Sequence, residues 1–101
     1  MKKIDLTAYS IGSGNTFDIR TSLVAVLFNE KVDPRELLKR DALATRIEQW
    51  EGDTLLLENA EWQKVVGGLS ATDLKPFGRD VVEFVRRVLD APDVSVVEAR
   101  T

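Results

Sequence analysis

Between Arg79 and Asp90 the sequence separates into two helical faces without an exception. At about 100° per residue, Val81, Val82, Phe84, Val85, Val88 and Leu89 occupy one half of the helix. Arg79, Asp80, Glu83, Arg86, Arg87 and Asp90 occupy the other. Glu83 precedes Arg87 by one turn, and Arg86 precedes Asp90 by one turn, so the polar face can pair with itself. The apolar face has no such recourse and must be covered by other elements of the chain. Phe77 sits just before a cap at Gly78, where it can staple onto Val82, and Pro92 ends the helix.

The rest of the chain supplies that cover. Ile19 to Phe28 is apolar nearly all round, with Arg20, Thr21 and Ser22 confined to its first turn, which suits the centre of a core. It reads as a helix capped near Asp18, although Val24 and Val26 leave a strand possible. Asp33-Pro34-Arg35-Glu36 is the clearest helix start. Asp33 can accept from the Glu36 amide, Pro34 lacks only an N–H that has no partner there anyway, and Glu36 can reach back to complete a capping box. That helix can run to Trp50 with Gly52 as its stop. If it is continuous, Arg40 falls on the arc of Leu37, Ala44 and Ile47; a bend near Arg40 and Asp41 would remove the conflict.

Thr54 to Leu57 is a short extended stretch. Asn59 then caps a helix of about ten residues with Trp62, Val65, Val66 and Leu69 on one face and Gly67 and Gly68 weakening its end. Ser70 to Lys75 reads as a loop. At the other end, residues 2 to 9 alternate in the manner of a half-buried strand, and Gly12-Ser13-Gly14-Asn15 forms a turn. Val94 to Ala99 is a second candidate strand, able to pair with residues 3 to 8. The expected fold is therefore mainly α: one domain over residues 1–101, four to five short helices, and a minor β element from the chain termini. Leu23, Leu27, Ile47, Trp62, Val66, Phe84, Val85 and Val88 are its expected core.

The residue inventory narrows the chemistry. There is neither cysteine nor histidine among the 101 residues. That removes disulfide staples, Ser-His and Cys-His nucleophile pairs, and His/Cys metal sites. The acids Glu48, Glu51 and Asp53 cluster without the order of a calcium loop, and a solvated helix end is the simpler reading. Gly12-Ser13-Gly14 lies between a strand and a helix, but Phe17 stands where the dinucleotide fingerprint needs its third glycine. No cofactor, metal or catalytic residue is expected, and the chain reads as a non-enzyme with no apparent small-molecule substrate. The longest apolar run, Leu23 to Phe28, is far short of the roughly 20 residues that cross a bilayer, and no opening segment resembles a signal peptide.

Two partner surfaces can be drawn. Arg35, Lys39 and Arg46 share one helix face and could meet nucleic acid. A net charge of -3 and the absence of interleaved aromatic residues make a solvated face the better reading. Trp50, with Leu55, Leu56 and Leu57, could instead anchor another protein chain, since Val24, Phe28, Leu38 and these residues exceed what one layer of helices readily hides. Trp62 lies on an apolar stripe and belongs to the core.

The order of segments also resembles small, poorly characterised proteins encoded in tailed-phage and prophage genomes. The resemblance rests on residues 23–28, on Arg35-Glu36-Leu37-Leu38-Lys39-Arg40-Asp41 with Leu43-Ala44, on Leu55 to Glu58 and on Arg79 to Leu89, about three-quarters of the chain. These are structural residues, so the resemblance brings no catalytic positions with it. It implies a virion component or assembly factor that works by contact with itself or a phage structural protein, located in the host cytoplasm or the virion.

Overall fold

The computed structural model of the protein describes residues 1–12 and 14–94. Its elements are β1 (Lys2–Asp5), β2 (Tyr9–Gly12), β3 (Asn15–Phe17), α1 (Ile19–Leu27), α2 (Pro34–Gln49), β4 (Thr54–Leu57), α3 (Asn59–Ser70), a 3₁₀ segment (Lys75–Val81) and α4 (Val82–Leu89). The described residues form a mainly helical fold with two small antiparallel strand pairs.

Asp18 accepts a hydrogen bond from the Thr21 N–H at 3.1 Å, and α1 follows as a helix and not a strand. It packs against both α2 and α3, burying Ile19, Leu23, Val26 and Leu27. At the start of α2, Asp33 accepts from the Glu36 N–H at 2.9 Å with Pro34 in the first position. The return half of that capping box is missing, because the Glu36 carboxylate turns to Arg40 and Lys64.

No bend relieves Arg40: α2 runs unbroken, and the side chain goes into the interior. The conflict is resolved by partners. Arg40 donates to the Leu27 carbonyl at 3.1 Å, to Glu36 at 3.0 Å, and to Glu30. At its far end α2 stops at Gln49, before Gly52, and the Arg20 guanidinium donates to the carbonyls of Ile47 (2.6 Å), Trp50 (2.7 Å) and Gly52 (3.2 Å). A cation thus satisfies the orphan acceptors at the negative end of the helix. Gly52, at φ +89°, turns the chain into β4.

The cap of α3 is Glu58, one residue before the expected Asn59, with its N–H donating to Glu61 at 2.9 Å. The helix continues through Gly67 and Gly68 to Ser70. β1 pairs antiparallel with β4, placing Ile4 opposite Leu55 and Lys2 opposite Leu57. The chain ends do meet, but not in the expected pairing of residues 94–99 with 3–8: the bridge is Lys2–Asp93, the Lys3 N–H donates to the Pro92 carbonyl at 3.0 Å, and the Val94 N–H donates to the Met1 carbonyl at 2.8 Å. Most of the expected strand from Val94 to Ala99 lies outside the described residues. β2 and β3 form a hairpin, so the turn at Gly12 and Gly14 joins two strands.

The last helix begins later than its period suggested. Lys75–Val81 is a 3₁₀ segment broken at Gly78 (φ 57°, ψ -134°), and α4 opens at Val82. Phe77 and Val82, expected to staple together, remain 51% and 48% exposed. Leu23, Leu27, Ile47, Phe84 and Val88 are buried as expected. Trp62, Val66 and Val85 are half-buried against that core, with the Trp62 indole N–H on the Val88 carbonyl at 2.8 Å.

Candidate contact groove

α1, the hairpin and the 3₁₀ segment do not close on one another completely. Between them lies an apolar groove of about 210 Å³. Val26 on α1, Phe17 on β3, Val81 and Phe84 make up its inner lining, and Ala25, Leu74 and Phe77 complete the apolar walls. The inner surface is fixed by ring contacts: Tyr9 stacks on Phe17 at 5.1 Å between centroids, and Phe17 meets Phe84 at 5.5 Å. Tyr9 is held in turn by its hydroxyl, which donates to the Asp80 carbonyl and accepts from the Phe84 N–H at 3.2 Å. Burial pushes the Tyr9 hydroxyl above the ordinary phenol value, which keeps it a neutral donor. Asn29 and Thr72 add a small polar element to the lining: the Asn29 amide donates to the Thr72 hydroxyl at 2.8 Å, and that hydroxyl donates to the Gly68 carbonyl at 2.8 Å.

The residues singled out from the sequence lie elsewhere. Leu55 and Leu57 have no exposed surface; they face the core from β4 and are not available to a partner. Their apolar character serves the β1–β4 pair, with Leu56 between them half-buried. Trp50 is also half-buried, its indole N–H donating to the Thr54 carbonyl at 2.8 Å and the Arg46 guanidinium 6.0 Å from its ring. It therefore closes the turn between α2 and β4.

The proposed basic stripe is divided. Arg35 and Lys39 are exposed near the start of α2, whereas Arg46 pairs with Glu61 at 2.7 Å. Glu48, Glu51 and Asp53 are exposed, and among the described residues no group of three or more carboxylates is gathered to hold a metal. The Gly12–Gly14 turn is separated from α1 by β3 and does not present a helix N-terminus to a phosphate.

A second, more open concavity of about 530 Å³ lies between β1 and α4. Its charges are of both signs and partly engaged: Arg87 donates to the Asp5 and Thr7 carbonyls, and Arg86 pairs with Glu83 at 3.5 Å. Hydrogen bonds from Thr7 hold the Asp5 carboxyl below the usual carboxylate range, so it remains an anion. Nothing in this arrangement aligns a nucleophile with a base.

Sequence reasoning missed the groove because its lining comes from separate segments: Phe17, Ala25, Leu74 and Phe77 share no helical or strand period. The available hint was Phe77, an aromatic residue between Pro76 and Gly78 at the edge of an amphipathic helix. Comparison with protein-family models, curated proteins and solved structures found no match to this chain.

Proposed function

We propose that the protein acts without catalysis, by seating an apolar side chain of another protein in the groove between α1 and the 3₁₀ segment. One observation carries this reading: the groove is lined by aromatic and aliphatic groups, and its wall includes Phe77 with 51% of its surface exposed. A pocket that accepts one anchor residue carries much of an interface's energy. Its volume, about 210 Å³, is below the usual ~300–1,000 Å³ of small-molecule sites. Phe28, Leu37 and Leu38, at 43%, 46% and 72% exposure, add apolar surface on α2 and at the end of α1. The resemblance to phage-encoded proteins supports a partner in a phage particle or its assembly, whether a second copy or a structural protein.

The test is binding of the purified protein to itself and to candidate tail and capsid proteins at two salt concentrations. An apolar interface should change little with salt, and Phe77→Ser should weaken it by about tenfold or more. A protein that is monomeric at high concentration, binds none of these chains, and holds a DNA duplex only at low salt would replace this reading with a nucleic-acid-binding regulator working through Arg35 and Lys39.

A further inference from the structure

We propose that Arg40, Glu30, Glu36 and Lys64 form an acid-released latch that clamps the α1–α2 connection and the start of α2 onto α3. The Arg40 side chain is 5% exposed and draws its acceptors from three stretches of chain. These are the Leu27 carbonyl at the end of α1, Glu30 in the connection, and Glu36 one turn earlier on α2. From α3, Lys64 donates to both oxygens of Glu36 at 2.9 and 2.8 Å. The charged groups facing one another are thus two cations and two carboxylates, and Glu36 lies between both cations.

A guanidinium keeps its charge at every ordinary pH, so its burial is tolerated only while its acceptors are in place and ionised. Glu36 reaches solvent, with 23% of its side chain exposed, so protons have access to it. Hydrogen bonds from Lys64 and Arg40 hold the Glu36 carboxyl below the usual glutamate range. A depressed carboxyl contributes stability that is complete above its unfolded value and is lost as pH falls through its folded value. Once Glu36 is neutral, Arg40 and Lys64 lose the carboxylate they share, and moving out restores water to the guanidinium. The connection and the first turns of α2 must move with it. β1, β4 and α4 contribute nothing to the cluster and have no reason to follow.

Amide hydrogen exchange of the full chain between about pH 7 and pH 3, corrected for intrinsic rates, tests the latch. Protection over residues 29–41 is expected to fall about tenfold or more in a step below roughly pH 4.3, while amides of β1 and α4 keep theirs. Glu36→Gln, a neutral mimic of the protonated acid, should already show the loosened pattern at pH 7. Arg40→Met, which removes the buried charge, should abolish the step. Simultaneous loss of protection across α2, β1 and α4 overturns the proposal, as does an unchanged step in Arg40→Met. Should that variant not fold, Glu36→Gln decides: a start of α2 as protected as in the parent at pH 7 also overturns it.

Discussion

A methyl group added at Gly68 would lie 2.0 Å from the Val26 carbonyl oxygen, far inside van der Waals contact and against backbone that cannot swing aside. At the preceding residue, Gly67, the same methyl would lie 2.9 Å from the Glu30 carboxylate, the far end of a flexible and partly exposed side chain. Two adjacent glycines of one helix therefore answer alanine differently. Gly68→Ala is expected to destabilise by about 3 kcal/mol or more, because α1 and α3 must separate. Gly67→Ala gains up to about 1 kcal/mol of helix propensity against the displacement of Glu30, and its net effect should be within about 1 kcal/mol of zero. Urea midpoints of the two variants check this, and equal losses would contradict the close crossing of α1 and α3. From the sequence both glycines read only as weak points of a helix. A helix crossing is a property of two segments, and neither segment alone carries it. Phe84 is different: its place on an unbroken apolar stripe was legible, and its side chain, 1% exposed, makes Phe84→Ala worth about 3–5 kcal/mol in a thermal or urea melt.

Element by element, what could be read was whatever is decided within a few residues. Asp18 and Asp33 cap their helices through bonds three residues long, and both were visible in the sequence. Asp33→Ala should accordingly cost about 1 kcal/mol, measured by the denaturation midpoint. Where a distant group competes for the same atoms, the local reading gives way. Glu36 abandons the Asp33 amide because Lys64, 28 residues along the chain, offers it a charge-assisted bond. Arg40 stays in a straight helix because Leu27, Glu30 and Glu36 satisfy it. The start of α4 moved from Arg79 to Val82 for a related reason. Tyr9 takes the Phe84 N–H and the Asp80 carbonyl, supporting a helix start that its own residues do not define. Tyr9→Phe removes those bonds and keeps the ring on Phe17, so it should cost about 1–3 kcal/mol, an effect a melt resolves. A loss no larger than that of an exposed substitution would show that the α4 start does not depend on this hydroxyl.

For the molecule as a whole, of the apolar surplus noted in the sequence only Phe28 and Leu38 stay exposed, and the fold takes up the rest. Leu55 and Leu57 face the core from the β1–β4 pair and cannot make the contact first expected there, while Trp50 and Leu56 stay half-buried. What stays outside is Phe28, Leu37 and Leu38 in one part of the chain, Val82 and Leu89 on α4, and Phe77 beside the groove. These side chains contribute little to the monomer, because surface substitutions away from specific features usually stay within about 0.5 kcal/mol. Leu38→Glu and Phe77→Ser should therefore leave the melting temperature near that of the parent protein. Their effect on association should separate. If the groove receives the anchor residue, Phe77→Ser weakens the complex about tenfold or more and Leu38→Glu much less, since hot spots lie where a pocket is filled and peripheral apolar contacts are near neutral. If the partner lies along α2, the order reverses. Sedimentation or titration of both variants against the same partner decides between the two surfaces, and the unchanged melting temperatures ensure that the difference reports contact and not loss of fold. Equal affinity for both variants and the parent would place the interface on neither, and the groove would then be only a gap between elements that do not quite meet.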